Sequence, residues 1–76
     1  MTGTLVRPTP GPRDELSDSE LAVLRLLPSE LSNREIGERL YVSVNTVKTH
    51  VRSIYAKLRA QSRDQAVGRA RELGLL

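Results

Sequence analysis

The chain has no cysteine, no tryptophan and no phenylalanine, and its 76 residues include one histidine and two tyrosines. Without cysteine there is neither a disulfide framework nor a thiolate zinc site, and His50 has no second histidine with which to share a metal or a catalytic relay. Its expected place is the edge of the core or beside a phosphate. Tyr41 and Tyr55 are too few to form a platform for stacking unpaired bases, which disfavours single-stranded nucleic acid and RNA loops. Tyr41, next to a short turn, is expected in the core. No apolar run is long enough to cross a membrane and no charged-then-apolar leader opens the chain, so a reducing, cytoplasmic setting is expected. A Gly-rich phosphate loop is also missing, and the scattered Ser, Asp and Glu residues form no nucleophile, base and orienter set. No catalytic residue, metal or cofactor is therefore assigned, and an enzyme is not expected.

Proline is concentrated at the start, where Pro8, Pro10 and Pro12 alternate among Gly and Thr. Residues 1–13 read as an extended linker or tail, expected to be disordered. About 60 residues remain, enough for one small core, which places a single domain at 14–76. The net charge of +3 conceals a separation of signs. From Asp14 to Leu40 there are seven acids, Asp14, Glu15, Asp18, Glu20, Glu30, Glu35 and Glu38, against Arg25, Arg34 and Arg39. From Tyr41 to Arg71 there are seven cations, Lys48, Arg52, Lys57, Arg59, Arg63, Arg69 and Arg71, against Asp64 alone. A polyanion is attracted to the second half. The plainer reading, that these cations only keep a small domain soluble, has to be weighed against their placement.

Four serines each open a helical segment by accepting a hydrogen bond from the first turn. Ser17 with Glu20 and Ser32 with Glu35 have capping-box spacing, with apolar staples Leu16–Leu21 and Leu31–Ile36. They predict helices over about 18–27 and 33–40, the first carrying Leu21, Val23, Leu24 and Leu27 and ending at Pro28. Ser43 opens a third helix, about 44–58, with the staple Val42–Val47 but Thr46 in place of a carboxylate. An acid there would repel a phosphate docking at the positive end of the helix, so its absence suits a helix that meets an anion. Ser62 with Gln65 opens a fourth helix, with the stripe Ala66, Val67, Ala70 and Leu73 running up to Gly74. The fold class is all-α, a four-helix domain behind a flexible tail.

In the third helix Val47, Val51, Ile54 and Leu58 share one arc and must face the core. Asn45, Lys48, Thr49 and Arg52 then share a stripe on the opposite side. These groups suit DNA bases: Lys and Arg donate to guanine, Asn pairs with adenine, and the Thr methyl touches the thymine methyl. No acid interrupts the stripe, and Lys48 with Arg52 at i,i+4 repel each other unless an anion is present. Two helices joined by the short Tyr41–Val42–Ser43 connection, the second polar and basic, make a helix-turn-helix whose second helix enters the major groove. Gly37, inside helix 2, costs about 1 kcal/mol relative to Ala and is expected to admit helix 3 closely.

From Leu16 to Leu76 the chain resembles the LuxR-type helix-turn-helix domain, in the stretches LSNREIGERLYVS, NTVKTHVRSIYAKL and SRDQAVGRARELGLL. Within that family it is most similar to the C-terminal domains of large ATP-dependent regulators, and less to two-component response regulators; any ATPase, receiver or autoinducer-binding region is expected before residue 1. The resemblance implies that Lys48, Thr49 and Arg52 face bases and that Thr46 and Lys57 hold phosphates. It makes Ser32, Asn33, Arg34 and Ser43 backbone-positioning candidates at helix starts, while Asn45 touches either phosphate or base. It also implies dimer contact through helix 4, where Gly68, Arg69 and Glu72 stand together, although that helix alone reads equally well as one more core helix. Three departures from the family pattern are Glu30 in place of a turn Gly, Gly37 in place of Ala, and Arg59 in place of the Gly that commonly follows KL. Arg59 therefore needs either an ending that is not left-handed or about 1 kcal/mol of strain.

The expected partners are double-stranded DNA, a second copy through helix 4, and RNA polymerase, with no membrane and no small molecule. A protein-interaction module docking on an acidic partner through the same basic face remains the alternative, as does a sigma-factor-like promoter-binding domain.

Overall fold

A computed structural model describes residues 16–76; the tail expected at residues 1–13 lies outside the described residues. Four helices follow in order: α1 Asp18–Leu26, α2 Asn33–Leu40, α3 Val44–Leu58 and α4 Arg63–Glu72. The described residues contain no strand. Each start follows from its serine. The amides of Glu20, Glu35, Thr46 and Gln65 donate to Ser17, Ser32, Ser43 and Ser62 Oγ, each at 3.1 Å. Glu20 and Glu35 complete their boxes by accepting from the Ser17 and Ser32 amides at 2.8 and 2.9 Å. Gln65 departs from that pattern, because its Oε1 accepts from the Gln61 amide at 2.8 Å.

The helix ends are less uniform. After α1 the chain bends at Pro28, and the carbonyls left without helical partners are taken up from a distance. The Arg63 guanidinium donates to the carbonyls of Leu27 at 2.7 Å, Leu31 at 2.8 Å, Ser29 at 2.8 Å and Leu26 at 3.3 Å. Counted in the sequence among the cations that attract a polyanion, Arg63 is instead a clamp between the start of α4 and the α1–α2 turn. α2 ends at Tyr41 in a left-handed conformation, φ 58° and ψ 41°, and the Val42 amide returns to the Gly37 carbonyl at 2.9 Å. That conformation turns the ring away from the bundle, so Tyr41 is 95% exposed, contrary to its expected place in the core. A Cβ on Gly37 would stand 2.7 Å from the Val42 carbonyl oxygen, so the bare backbone is what lets the turn and α3 fold so closely onto α2.

α3 ends at Arg59, also left-handed at φ 55° and ψ 44°, with the Ala60 amide bonded to the Tyr55 carbonyl at 2.8 Å. For a residue with a side chain this ending costs about 1 kcal/mol. α4 closes through Gly74, φ 76°, and the Leu75 amide donates to the Ala70 carbonyl at 2.8 Å. The reversal leaves Leu73 half exposed and packs Leu75 against the core, so the apolar stripe expected to finish with Leu73 finishes with Leu75.

The core gathers Leu16, Val23, Leu24 and Leu27 from α1 and its flanks, Ile36 from α2, Val47, Ile54 and Leu58 from α3, and Ala66, Val67 and Ala70 from α4. Burying each of the larger side chains contributes about 1.5–3 kcal/mol. α3 packs against all three other helices, so one of its faces is held from every side.

Candidate nucleic-acid interface

The face of α3 that the core leaves uncovered presents Asn45, Lys48, Thr49 and Arg52, all exposed, opposite buried Val47 and Ile54. The Thr49 hydroxyl donates to the Asn45 carbonyl at 3.0 Å. Its proton is thereby used within the helix, leaving an oxygen lone pair and a methyl to meet a ligand. Asn33, Lys48, Val51, Arg52 and Tyr55 line one open depression of about 380 Å³, which brings the start of α2 beside the middle of α3.

The first turn of α3 contains no acid. Ser43 and Thr46 share a hydrogen bond of 2.9 Å between their hydroxyls, so one of the two protons remains available. The amides of Val44 and Asn45 have no acceptor among the described residues. Free amides, a spare hydroxyl and the positive end of a 15-residue helix together suit an anion. The start of α2 differs. Glu35 lies across it, and its bonds from Ser32, with the Arg39 charge nearby, hold its carboxyl below the ordinary value. Ser32 and Arg34 are exposed and Asn33 is half-buried there, so an anion at this end would meet a carboxylate as well as a cation.

Lys57 faces inward. Its ammonium donates to Glu20 Oε1 at 2.7 Å, across from α3 to α1, and the Glu20 side chain is only 7% exposed. Burial alone would raise the Glu20 pKa, but hydrogen bonds from Lys57, Ser53 and the Ser17 amide, with the Lys57 charge, bring it down to about 2. Glu20 was legible as a cap from its spacing; its second role, as the partner of a lysine 37 residues away, carried no local signal. On α4, Gly68, Arg69 and Glu72 are exposed, and a Cβ on Gly68 would meet nothing within 4 Å. His50 is half-buried beside Ala22, Leu40 and Val42. Among the described residues no group of three or more His, Cys, Asp or Glu is placed to hold a metal, and no helix is long and apolar enough to cross a membrane.

A short α2, a tight turn and a longer α3 with a basic outer face define a helix-turn-helix domain. The profile described as bacterial regulatory proteins, luxR family, matches residues 14–70, and the chain belongs to that family, whose helix-turn-helix domains bind DNA in transcription regulation. A nitrate/nitrite response regulator protein homolog of Haemophilus influenzae is 44% identical over 52 residues, 68% of this chain and 25% of that protein. The HTH-type transcriptional regulator AlkS of Alcanivorax borkumensis is 39% identical over 57 residues, 75% of this chain and 6% of that protein. The crystal structure of the response regulator ChrA, from a heme-sensing two-component system, superposes with a TM-score of 0.78 at 37% identity, covering 92% of this chain and 33% of that one. The chain thus spans about a quarter of one of these two curated relatives and far less of the other. Both response regulators and a protein many times longer carry the same domain.

Proposed function

We propose that this chain binds double-stranded DNA in a sequence-specific manner, as the C-terminal output domain of a longer bacterial transcription regulator, with α3 in the major groove. The observation that carries the reading is the exposed, acid-free stripe Asn45, Lys48, Thr49 and Arg52 on a helix whose other face is locked in the core. Lys48 and Arg52 donate to guanine edges, the Thr49 methyl meets thymine, and Asn45 takes adenine or the adjoining phosphate. Ser43, Thr46 and the free amides at the start of α3 hold one phosphate, and Asn33 and Arg34, steadied by Ser32, approach another. Lys57 contributes to the backbone field through an ammonium it shares with Glu20.

On DNA two copies meet through α4 near Gly68, Arg69 and Glu72, reading half-sites about one helical turn apart. The exposure of all three residues supports this. RNA polymerase is the protein partner that transcription control implies, and the bacterial cytoplasm is where both it and DNA are met. The test is a titration of the labelled chain with mixed-sequence duplex at moderate salt, followed by amide chemical shifts. Shifts concentrated at residues 43–52 are expected; none there at saturating duplex would instead favour an acidic protein as the partner of this face.

A further inference from the structure

Three cations stand where α3 ends and α4 begins, and two of them are engaged inside the protein. The Lys57 ammonium donates to Glu20, and the Arg63 guanidinium donates to four backbone carbonyls. Arg59 is exposed and makes no side-chain hydrogen bond or ion pair with any described residue. Its backbone nevertheless sits at φ 55°, a region that residues with side chains seldom hold. An outlier of this kind, maintained without a local contact that rewards the side chain, is a reason to look for a ligand.

Register supplies the ligand. The α3 path at 3.6 residues per turn brings the Arg59 Cα into line with Asn45, Lys48 and Arg52, the left-handed cap changing only the direction in which its long side chain sets out, and the residue between, Ala56, is small and exposed. Arg59 stands seven positions after Arg52, roughly 10 Å along the axis. That is close to the width of the major groove, about 12 Å. With Arg52 at base edges, Arg59 reaches the phosphate rim. We infer that Arg59 binds a backbone phosphate of the duplex, extending the α3 stripe beyond the bases; this rests on the DNA-binding reading above.

The test compares the unaltered chain with Arg59→Gly and Arg59→Lys, using a mixed-sequence duplex over a series of salt concentrations and thermal unfolding in parallel. Arg59→Gly accepts the left-handed backbone freely, so its melting temperature rises while its DNA affinity falls, on the order of five- to tenfold near 0.1 M salt. The slope of log K against log salt becomes shallower by about 0.9, and Arg59→Lys keeps the original slope. A more stable Arg59→Gly chain with unchanged affinity and slope would overturn the contact and leave Arg59 as a helix ending only. An unaltered chain that binds no duplex at any salt would refute the DNA-binding reading itself, and the contact with it.

Discussion

Lysine and arginine have three different fates in the second half of this chain. Lys48 and Arg52 stand in solvent, Lys57 neutralises a carboxylate under α1, and Arg63 ties down a turn. The Lys57–Glu20 pair has a signature in acid. Glu20 is lowered from 4.5 to about 2, so the stability it contributes is complete above pH about 5 and is lost as the pH falls towards 2. The amount is on the order of 3 kcal/mol. Lys57→Ala should remove only part of this, about 1 kcal/mol in urea unfolding at pH 7, because Ser53 and the Ser17 amide still hold Glu20, with the difference from the unaltered chain shrinking through that acid range. A pH-independent difference would mean that Lys57 acts by packing its stem. Neither partner was legible in the sequence, where Arg63 counted simply as positive charge and Lys57 was expected, from the resemblance, at a phosphate. Charge is written in the sequence, but the distance to a partner more than thirty residues away is not. Tyr41 was misplaced for a related reason: its hydrophobicity argued for burial, while the left-handed backbone that ends α2 decided the direction of its ring.

Helix starts were legible because capping is local chemistry. A serine, the residue three positions on and a flanking apolar pair contain nearly all that is needed, and the four helices begin where those signals lie. The ends of α2 and α3 also fall where expected, at Leu40 and Leu58, but how the chain leaves them was not legible, since Tyr41, Arg59 and Gly74 all close with positive φ although only one of them is glycine. The outer stripe of α3 was legible from periodicity, as one buried face fixes the other. The role of α4 was not, because a helix of alanines and arginines shows no partner by itself. Gly68→Ala separates the two readings of α4. The added methyl meets nothing within 4 Å and should stabilise the monomer by about 0.5–1 kcal/mol, measured by thermal unfolding. If two copies approach closely there, the same change weakens paired binding on a duplex long enough for both, measured by sedimentation. Unaltered pairing would move the contact away from Gly68.

In the molecule as a whole, α3 is the element on which every other helix packs, and it also carries the surface proposed to face DNA. Because its inner face is locked by the core, its outer side chains are presented from a rigid backbone, and little ordering remains to be done on binding. The two helices of the motif differ at their starts, that of α3 being free of acids and that of α2 containing one. Sequence reading by this surface, as distinct from mere attraction of phosphate, is what the proposed function requires. It is tested most directly by exposing the unaltered chain and Arg52→Ala to a pool of random duplexes at two salt concentrations and sequencing what each retains. The unaltered chain should recover a partly palindromic motif with affinity falling as salt rises, and Arg52→Ala should lose about 1–3 kcal/mol on that motif and relax its base preference. Binding that depends on salt but recovers no motif, with equal losses for Arg52→Ala on every sequence, would contradict base reading by α3.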